Sequence, residues 1–600
     1  MGKRQGGSGD VASTYHRPVT ILGIDVGGTF TDAVLVGVDG TVVTAKLPTR
    51  TPQAEVIVAA ARAVAGDRPL GRFTLGTTLA TNTLLERRGA RTAFVATEGF
   101  EHLLHVRRQT RAHLYRLCSP HPEPVVALER CYGVRERMGP DGVLVPLDLD
   151  HLPPLDGVEA VAVTLLFSFR DPSHEQALAR ELRRRHPHLH VVASHEIAPE
   201  FREYERASTT AVDAYLGPPV ARALAGLEAA CRRHHLAAPL VFRSSGGVVT
   251  LAEAAAHPAT ILLSGPAAGA MGAARIARAC GYPMALAIDM GGTSTDVSLI
   301  RDGLPERAPE RTVGGLPVRL PTIDVHTIGA GGGSIVWRDR GGALRIGPES
   351  AGAAPGPACY GNGGTRPTLT DANLLLGRLP AELPGGIHLD PAAAERAMAG
   401  LEPAEVVAVA EAEMLRALRV VSVERGQDPR ACALVAFGGA GPLHACALAE
   451  ALGIQTVLVP ETAGVLSALG LAASDERRDS VRSVVRPLAQ AGPLPAAGEA
   501  DLRYRGQSFE LTVPIQPGLA EAFHRLHEQR YGYADRDREI ELVAVRWADT
   551  TPGPYVALRA SALRQVRGPA VVELDGSTAW VGPGWSGTSD AHGTLVLERR

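Results

Sequence analysis

The sequence predicts an α/β protein in which two similar α/β domains precede a mostly β C-terminal domain. A twelve-residue segment that begins at Asp25 recurs at Asp289, and the two copies are identical at seven of their twelve positions. Each copy follows an apolar run, at 19–24 and 285–288, that is typical of a buried strand. Residues 501–600 carry strand patterns and one helical stretch. Because 600 residues are too many for one core, we expect three or more domains.

The first predicted domain, 19–215, begins with a β-meander and continues as alternating strands and helices. The turn Val-Asp-Gly that ends at Gly40 has the chemistry of a β-hairpin. A Thr-Pro pair that ends at Pro52 is a plausible helix start. The predicted strands are 19–24, 32–38, 41–47, 91–96 and 160–169, and the predicted helices are 52–66 and 173–185.

The second predicted domain, 216–485, carries the second copy of the segment. Glycines and prolines concentrate in 329–364, and a loop region of that length favours a functional role over a packing role. A predicted helix at 404–426 leads to a strand at 433–437 and then to a Gly-Gly-Ala-Gly-Pro turn. The C-terminal domain is predicted to span 486–600 and to begin with a proline- and alanine-rich linker.

The composition favours a globular protein without a nucleic-acid or membrane partner. The formal net charge is −3 and aromatic residues make up 4%, so neither a basic surface nor base-stacking side chains are predicted. The longest apolar run, 160–169, is too short to cross a bilayer. Seven cysteines without a CxxC pair indicate free thiols and a cytoplasmic location. Residues 1–18 lack the apolar core of a signal peptide and are predicted to form a disordered tail.

A strand that ends in aspartate and then turns through Gly-Gly-Thr suits a phosphate site. Glycine lets the backbone approach an anion, and N–H groups and threonine hydroxyls donate hydrogen bonds to it. Because carboxylates repel phosphate, Asp25 and Asp289 are expected to hold a metal ion or to orient a nucleophile. Two such hairpins predict two domains that close on one nucleotide, although two unrelated tight hairpins are the alternative. Asp32 and Asp296, which follow the turns, either join the site or fix the turns.

Together with the turn at 437–442, the two segments resemble the three nucleotide loops of the actin, sugar-kinase and Hsp70 superfamily. Over about 20–590 the chain resembles more closely the A subunit of the hydantoinase/oxoprolinase family. The resemblance implies two actin/Hsp70/sugar-kinase-like ATPase domains that clamp ATP. The segments that carry it include ILGIDVGGTFTDAVL, GTTLATNTLLERRGARTAFVATEGF, RRQTRAHLY, SHEIAPEFREYERASTTAVDAYLGP, SGPAAGA, AIDMGGTSTDVSLI, IDVHTIGAGGGSI, GPESAGAAPGPACYG, TLTDANLLLGRL, AFGGAGPLHA, VLSALGL, DLRYRGQSFELTVPI and RYGYADRDREIELVAVRW.

The resemblance also implies cofactors, a partner and a reaction. Members of the family use ATP with Mg²⁺ at an amide-like or ketone carbonyl. In the family, phosphorylation of the substrate oxygen is ascribed to the A subunit, and a B subunit or a fused B half completes hydrolysis or carboxylation. Since this sequence contains no B-like region, the implied partner is a B-type subunit in a hetero-oligomer.

The resemblance assigns three groups of residues to the nucleotide. Asp25 is expected to hold Mg²⁺, and Asp289 to orient the nucleophile or the metal-bound water. The two turns are expected to contact the β- and γ-phosphates, and the third turn to pass close to adenine or ribose. Because no GxxxxGK[ST] loop is present, Mg²⁺ and backbone amides must neutralise most of the charge. The expected ATP-binding residues are Gly27, Gly28, Thr29, Thr31, Gly291, Gly292, Thr293, Ser294, Thr295, Gly438, Gly439 and Gly441.

Four further residues are candidates for contacts with the substrate or a second metal, and each has an alternative role. In a strand, Asp324 and His326 face the same side and can meet a metal or the substrate together. Alternatively, His326 is a neutral hydrogen-bonding residue at the domain interface. Arg108 and Gln109 lie either in a segment that resembles the family's substrate-facing loop or in a solvated surface loop.

The sequence therefore predicts the ATP-binding subunit of an ATP-dependent cyclic amidase, which acts on a hydantoin-, lactam- or oxoproline-like ring. Resonance makes an amide carbonyl a poor electrophile, and phosphorylation of its oxygen explains the use of ATP. The near alternative is a carboxylase subunit of the acetone or acetophenone type, in which ATP activates an enolate or bicarbonate. The alternative from another class is a non-catalytic ATP switch similar to actin or a chaperone, because a clamp suits either role.

Overall fold

The computed structural model describes residues 20–49, 52–66, 68–116, 118–383, 386–554, 556 and 563–599. The predicted tail at 1–18 lies outside them. The protein is α/β, as predicted: three large sheets carry the helices, and an antiparallel sheet follows them along the chain. All seven cysteines are free. Among the described residues, no helix has both the length and the apolar character that a membrane crossing requires.

The first sheet has six strands and carries the first copy of the repeated segment. Strands Ile21–Val26 and Phe30–Val36 form an antiparallel hairpin, and the first of them also pairs in parallel with Arg72–Thr77. Their Ile, Leu and Val side chains are buried, partly against helix Gln53–Ala65. In spatial order the strands are Val248–Val249, Leu240–Phe242, Arg72–Thr77, Ile21–Val26, Phe30–Val36 and Val42–Pro48.

The second sheet has four parallel strands between two helices. Alternate residues of strand Ala160–Thr164 pack against the long helix Glu203–Arg233 on one face and against Ser173–Arg185 on the other. The alanines and valines of this strand are therefore completely buried. In spatial order the strands are His190–Ala193, Ala160–Thr164, Thr92–Thr97 and Cys131–Val134.

The third sheet carries the second copy of the segment and is the largest. Strands Ala285–Met290 and Thr295–Arg301 form its hairpin, and Ala285–Met290 pairs in parallel with Ala433–Phe437. Strand Val325–Ile328 also pairs with Thr295–Arg301. The remaining order is Leu304–Pro305, Thr295–Arg301, Ala285–Met290, Ala433–Phe437, Thr456–Pro460, Thr594–Arg599, Trp585–Ser589 and Gln565–Arg567.

Two helices join the first and third sheets. Helix Leu466–Ala472 packs on strand Ile21–Val26, and helix Ser264–Ala279 packs on Ala285–Met290. The two helices also pack on each other through glycine, because a Cβ on Gly470 would lie only 2.2 Å from the carbonyl oxygen of a residue in Ser264–Ala279. This close contact fixes how the two hairpins face each other.

The C-terminal part is mostly β, as predicted, with one helix, Leu519–Tyr531. A cluster of buried ion pairs ties it to the rest of the chain: Glu200 accepts hydrogen bonds from both Arg319 and Arg546, and Arg546 also pairs with Asp501. The antiparallel sheet has the order Glu476–Pro487, Ile540–Thr551, Glu499–Tyr504 and Leu511–Pro514.

The sheets cross two of the predicted domain limits. Leu240–Phe242 follows residue 215 in the chain but completes the first sheet, and Thr594–Arg599 follows residue 486 but extends the third. The division at these residues stays a prediction.

Shorter elements complete the described chain. The remaining α-helices are Leu79–Leu85, Leu103–Val106, Ser194–Ile197, Leu251–Ala256, Leu369–Leu375, Pro391–Ala397, Pro403–Val421 and Gly441–Leu452. The 3-10 turns are Leu128–Arg130, Pro258–Ile261, Ala358–Tyr360, Val423–Arg425, Pro429–Ala431, Ala463–Val465 and Leu488–Gln490. The remaining strands are Arg137–Gly139, Gly142–Val145, Arg307–Ala308, Arg311–Val313, Leu316–Val318, Thr322–Ile323, Ser334–Arg338, Leu344–Ser350, Glu382–Leu383, Ile387–His388, Ala570–Leu574 and Ser577–Val581.

Candidate active site

The two copies of the repeated segment form hairpins with the same register. Asp25 lies opposite Asp32 in the first hairpin, and Asp289 lies opposite Asp296 in the second. Residues opposite each other on paired strands project from the same face of a sheet, so each hairpin presents two aspartates together. The turns match as well, because the first glycine of each donates its N–H to the carbonyl three residues later, at 3.0 and 3.1 Å.

In each hairpin a third strand places one further residue opposite the second aspartate, and this residue differs between the two hairpins. Lys46 lies opposite Asp32, and its ammonium donates to the Oδ1 atom of that carboxylate at 2.6 Å. Thr327 lies opposite Asp296, and its hydroxyl donates to the Oδ1 atom at 2.5 Å. The second aspartate of each hairpin is therefore held by a cation in one case and by a neutral hydroxyl in the other.

Helix Ser264–Ala279 passes both of the leading aspartates. A Cβ on Gly265 would lie 3.4 Å from the Oδ1 atom of Asp25, and a Cβ on Gly269 would lie 3.2 Å from the Oδ2 atom of Asp289. These two glycines are one helical turn apart. The helix therefore lies between the two hairpins and brings their carboxylates into one site.

Burial and like charge raise the pKa values of the leading aspartates. Burial raises the pKa of Asp25 to about 7; Asp32 adds to the shift and Lys46 opposes it. Burial raises the pKa of Asp289 to about 8, and the charges of Asp296 and Asp25 add to that shift. The charge of Asp25 also raises the pKa of Asp289, and the charge of Asp296 raises the pKa of Asp25, so the two hairpins share one electrostatic environment.

The carboxylates fit a divalent cation that arrives with a ligand. The Oδ1 atom of Asp25 is buried and has no hydrogen-bond partner among the described residues. An unpaired buried carboxylate oxygen near other carboxylates favours a cation. Within the described ranges, no cluster of three or more His, Cys, Asp or Glu side chains forms a complete metal site. Mg²⁺ typically takes one or two carboxylates together with water and phosphate oxygens, which these residues can provide.

The tips of both turns are open. Gly28 is exposed in the first turn, and Gly291, Gly292 and Thr293 are exposed in the second. A Cβ on Gly292 would lie 4.0 Å from the Oγ1 atom of Thr29, so the two tips face each other. Backbone N–H groups at such tips are available to an anion between them. Partly exposed residues beside the tips are Gly27, Thr29 and Ser294.

The second threonine of each repeat is buried and has a protein partner. The Oγ1 atom of Thr31 lies 3.0 Å from the Oγ1 atom of Thr49, which donates to the carbonyl of Gly27 at 3.0 Å. Thr295 donates to the carbonyl of Ala330 at 2.5 Å. These hydroxyls brace the turns from the inside, which is an alternative to the phosphate contacts predicted for them.

The glycine-rich segment 329–333 lies directly on the second turn. The N–H groups of its last two glycines donate to the carbonyls of Gly291 and Gly292 at 3.0 and 2.7 Å. A Cβ on Gly331 would lie 2.5 Å from the backbone nitrogen of Thr293, so no other residue fits there. This segment therefore supports the shape of the second turn.

The third turn lies against the second hairpin. Gly438 has φ +80°, and a Cβ there would lie 2.2 Å from the Oδ1 atom of Asp289, so the position requires glycine. Gly439 is exposed, and a buried helix begins at Gly441. Gly438 thus borders Asp289, and Gly441 lies against the backbone of the same strand at Met290.

Asp324 and His326 do not form a metal site with the aspartates. His326 lies opposite Val297 and is one position removed from the partner of Asp296. Because neighbouring residues of a strand point to opposite faces, His326 projects away from that carboxylate. Asp324 forms an ion pair with Arg425. Burial and nearby arginines lower the pKa of His326, which favours the alternative of a neutral imidazole.

Arg108 and Gln109 lie in a separate segment, where the arginine already has a protein partner. The guanidinium of Arg108 makes two hydrogen bonds with Glu205, at 2.5 and 2.7 Å. Gln109 is exposed and has φ +55°, which is uncommon outside glycine. A contact of either side chain with a substrate stays a prediction.

Two residues of the site escaped the sequence analysis. Ser467 donates to the Oδ2 atom of Asp289 at 3.4 Å, and Lys46 holds Asp32. Ser467 gives no local signal, since only the packing of distant helices brings it there. Lys46 could have been singled out from the composition, because the sequence contains only one other lysine, Lys3.

Comparisons with known proteins identify the family and the fold. The model of the hydantoinase/oxoprolinase N-terminal region matches residues 21–186, and the hydantoinase/oxoprolinase model matches 206–480. Caprolactamase subunit alpha of Pseudomonas jessenii is 30% identical over 96% of this chain and 98% of that protein. Acetophenone carboxylase gamma subunit of Aromatoleum aromaticum is 34% identical over 77% of this chain and 69% of that protein. The crystal structure of the ATP-dependent caprolactamase from Pseudomonas jessenii matches with a TM-score of 0.83 at 29% identity, over 96% of this chain and 99% of that one.

The comparisons also confirm the predicted fold class, since a solved relative matches along nearly the whole chain. The two matched family models cover most of the 600 residues. Both duplicated hairpins, with Asp25 and Asp289, fall within them. The chain belongs to the hydantoinase/oxoprolinase family.

Proposed function

We propose that this chain is the ATP-binding subunit of an ATP-dependent cyclic amidase. The observation that carries the proposal is the pair of facing hairpins, in which Asp25 and Asp289 lie beside open Gly-Gly-Thr turns. Such a site suits a polyphosphate and a divalent cation held against two carboxylates. Substrates of the proposed class have a hydantoin-, lactam- or oxoproline-like ring.

The open turns bind the phosphates of ATP in this proposal. The exposed residues of the turns would donate backbone N–H groups to the phosphates, and the adjoining hydroxyls would add further donors. The third turn passes the nucleoside in this proposal, which is supported by the open space at Gly439, where a Cβ would meet nothing within 4 Å. The residues proposed for these contacts are Gly27, Gly28, Thr29, Gly291, Gly292, Thr293, Ser294, Gly438, Gly439 and Gly441.

Asp25 and Asp289 have different roles in the proposal. Mg²⁺, when bound with the nucleotide, neutralises phosphate charge as the phosphoryl group moves. Asp25 would hold it, because its Oδ1 atom has no protein partner among the described residues. Asp289, whose pKa is about 8, is mostly protonated near pH 7, so it can donate a hydrogen bond to a carbonyl oxygen, and in its ionised form it can accept a proton from water.

The chemical step activates an amide that water attacks poorly. The carbonyl oxygen forms a bond to the γ-phosphorus of ATP, the bond to the bridging oxygen breaks, and ADP leaves. Water then adds to the carbonyl carbon, and the C–N bond breaks so that the ring opens to an amine and an acyl phosphate. A second water hydrolyses the acyl phosphate to a carboxylate and phosphate. The site contributes positioning and charge neutralisation, which are the main needs of phosphoryl transfer. We propose that a B-type subunit completes hydrolysis, since the similar caprolactamase chain is itself named a subunit.

A carboxylase subunit is the second candidate function. The similarity to an acetophenone carboxylase subunit favours it, because the same ATP site can activate an enolate or bicarbonate. A non-catalytic ATP switch remains a third possibility for a clamp of this architecture. The three functions differ in what stimulates ATP turnover.

The test is ATP hydrolysis by this chain together with a co-purified B-type subunit. The panel contains hydantoins, 5-oxoproline, lactams and ketones, each with and without bicarbonate. Stimulation by a cyclic amide without bicarbonate is the expected result and names the substrate class. Stimulation by a ketone only with bicarbonate would replace the proposal with the carboxylase, and slow hydrolysis that ignores the whole panel would count for the switch.

A further inference from the structure

We propose that Lys46 binds a phosphate group of the nucleotide and is the lysine on which phosphoryl transfer depends. The inference rests on the proposed ATP site and adds a residue that neither the repeated segments nor their turns contain. Its starting point is composition: Lys3 and Lys46 are the only lysines of the sequence, and every other basic residue among the 61 is arginine. A chain that uses arginine almost everywhere has kept an ammonium group at this position.

Lys46 stands where the two otherwise equivalent hairpins differ. Each hairpin places a third-strand residue opposite its second aspartate, and that residue is Lys46 in the first and Thr327 in the second. Holding the aspartate does not require a cation, because the threonine hydroxyl performs that task at 2.5 Å. The positive charge of Lys46 therefore indicates a role beyond holding Asp32.

The contacts of Lys46 leave one donor for a ligand. An ammonium group has three N–H donors. One reaches Asp32 at 2.6 Å, and a second reaches the carbonyl of Gly464 at 3.2 Å. In the described part of the chain, no third oxygen or nitrogen acceptor lies within hydrogen-bond distance of the ammonium, although its Nζ atom also lies 5.2 Å from the centroid of the Phe30 ring. The lysine side chain is 21% exposed, so a ligand can reach the third donor.

The two fixed contacts place the ammonium between the halves of the site. Asp32 belongs to the first hairpin, whereas Gly464 lies next to Ala463, whose carbonyl accepts the N–H of Gly438 in the third turn. Lys46 thus touches one phosphate hairpin and a neighbour of the turn proposed for the nucleoside. A phosphate held between these elements would come within reach of the remaining donor.

The surrounding charge favours an anion that brings a cation partner. The positive charge of Lys46 lowers the pKa of Asp25, and the negative charge of Asp575 raises the pKa of Asp32. On the second hairpin, the positive charge of Arg311 lowers the pKa of Asp296, but the guanidinium donates its hydrogen bond to the carbonyl of Val325. Triphosphate with Mg²⁺ would be held by carboxylates through the metal and by Lys46 directly.

Arginine could not replace this lysine. Its planar guanidinium directs its donors in a fixed fork, whereas an ammonium places three donors around a single compact charge. A carboxylate, a carbonyl and a phosphate oxygen converge on one atom in our proposal. Lys46→Arg keeps the ion pair with Asp32 and therefore separates a purely structural role from phosphate binding.

The test compares Lys46→Arg and Lys46→Met with the wild-type chain, each with its B-type subunit. The matched control is Arg301→Met, which removes an exposed ion pair with Glu306 at the end of the second hairpin. Binding of a non-hydrolysable ATP analogue, turnover at saturating ATP and the midpoint of thermal unfolding are measured. We expect both Lys46 variants to lose turnover by about 100-fold and the control to keep it.

Three outcomes decide the proposal. Lost turnover in Lys46→Arg with an unchanged unfolding midpoint supports it. Turnover within about threefold of wild type in Lys46→Arg would overturn it and leave an ion pair that only supports the strand. If the wild-type chain binds no ATP analogue, the proposed function itself fails, which is distinct from a failure of the Lys46 assignment.

Discussion

At the scale of single residues, folding holds the carboxylates of the site closer together than they would lie in the solvated, unfolded chain. Asp25 and Asp289 acquire raised pKa values because they are buried and because each lies near other aspartates. Folding gains nothing from bringing such charges together. The arrangement is therefore best explained by a ligand that compensates for it.

Replacing either leading aspartate should abolish turnover without harming the fold. Asp25→Asn and Asp289→Asn keep the side-chain shape but remove the charge that would hold Mg²⁺ or orient the nucleophile. We expect ATP turnover to fall by at least about 100-fold, with an unfolding midpoint equal to or above that of wild type. Steady-state ATPase assays and calorimetry measure both. Full activity in either variant would contradict the assignment, and the exposed residue Asp141 provides the control Asp141→Asn.

The pH dependence of stability follows from the raised pKa of Asp289. The pKa is about 8 in the folded protein and about 3.9 in an unfolded chain. The stability that this group contributes is therefore fully present below about pH 4 and is lost as the pH rises toward 8. Without nucleotide and in the presence of EDTA, Asp289→Asn should lose less free energy of unfolding than wild type between about pH 5 and about pH 8, by up to about 4 kcal/mol. Urea titrations at the two pH values measure it; equal losses in both proteins would refute it.

The sequence predicted the leading aspartates and the open glycines of this site, because a repeat marks them. It could not show which repeated residues face the ligand. Thr31 and Thr295 repeat as faithfully as the aspartates, yet their hydroxyls have protein partners. Lys46 and Ser467 lay outside the prediction, since their position depends on strand register and on helix packing between distant segments.

At the scale of elements, two small-residue helices set the distance between the hairpins. Ser264–Ala279 and Leu466–Ala472 approach closely because glycines stand where they cross. The strands predicted for the first hairpin, 19–24 and 32–38, occur as Ile21–Val26 and Phe30–Val36, with each end shifted by two residues. Their buried Ile, Leu and Val pattern predicted the strands themselves. The crossing helices were not predicted as a unit, because glycine in a helix pattern gives no indication of its neighbour.

A methyl group at the helix crossing should destabilise the protein strongly. In Gly470→Ala the new Cβ would lie 2.2 Å from the carbonyl oxygen of Ala268, so the helices must separate. We expect a loss of about 3 kcal/mol in the free energy of unfolding, together with weaker ATP binding. The matched control is Gly226→Ala in the exposed face of helix Glu203–Arg233, where a Cβ meets nothing within 4 Å. That variant should be neutral or more stable by about 0.5–1 kcal/mol, and chemical denaturation compares the two.

At the scale of the whole molecule, the parts of the chain are interleaved. Strand Thr594–Arg599 pairs with Thr456–Pro460 inside the third sheet, and Glu200, Arg319 and Arg546 join three distant stretches in one ionic cluster. Composition and local patterns predicted a mostly β C-terminal part but not its pairing with the third sheet. Such long-range strand pairing depends on packing that no local pattern encodes.

Disruption of the late strand should therefore damage the ATP site from a distance. Leu597 is 1% exposed within Thr594–Arg599, and Leu597→Asp places a charge in the core of the third sheet. We expect a loss of at least about 4 kcal/mol in the free energy of unfolding and loss of ATP-analogue binding. Glu598→Gln, one position along and exposed, is the control and should leave both unchanged. A stable Leu597→Asp variant that binds normally would show that the strand is dispensable.

The late position of this strand in the chain also affects how the protein folds during its synthesis. On the ribosome, Thr456–Pro460 emerges long before Thr594–Arg599, which forms its outer neighbour. Until then the nascent third sheet presents an unpaired edge, and an unpaired edge is a template for pairing with other chains. Until translation reaches Thr594–Arg599, this part of the chain therefore depends on dilution or on chaperones to avoid pairing with other chains.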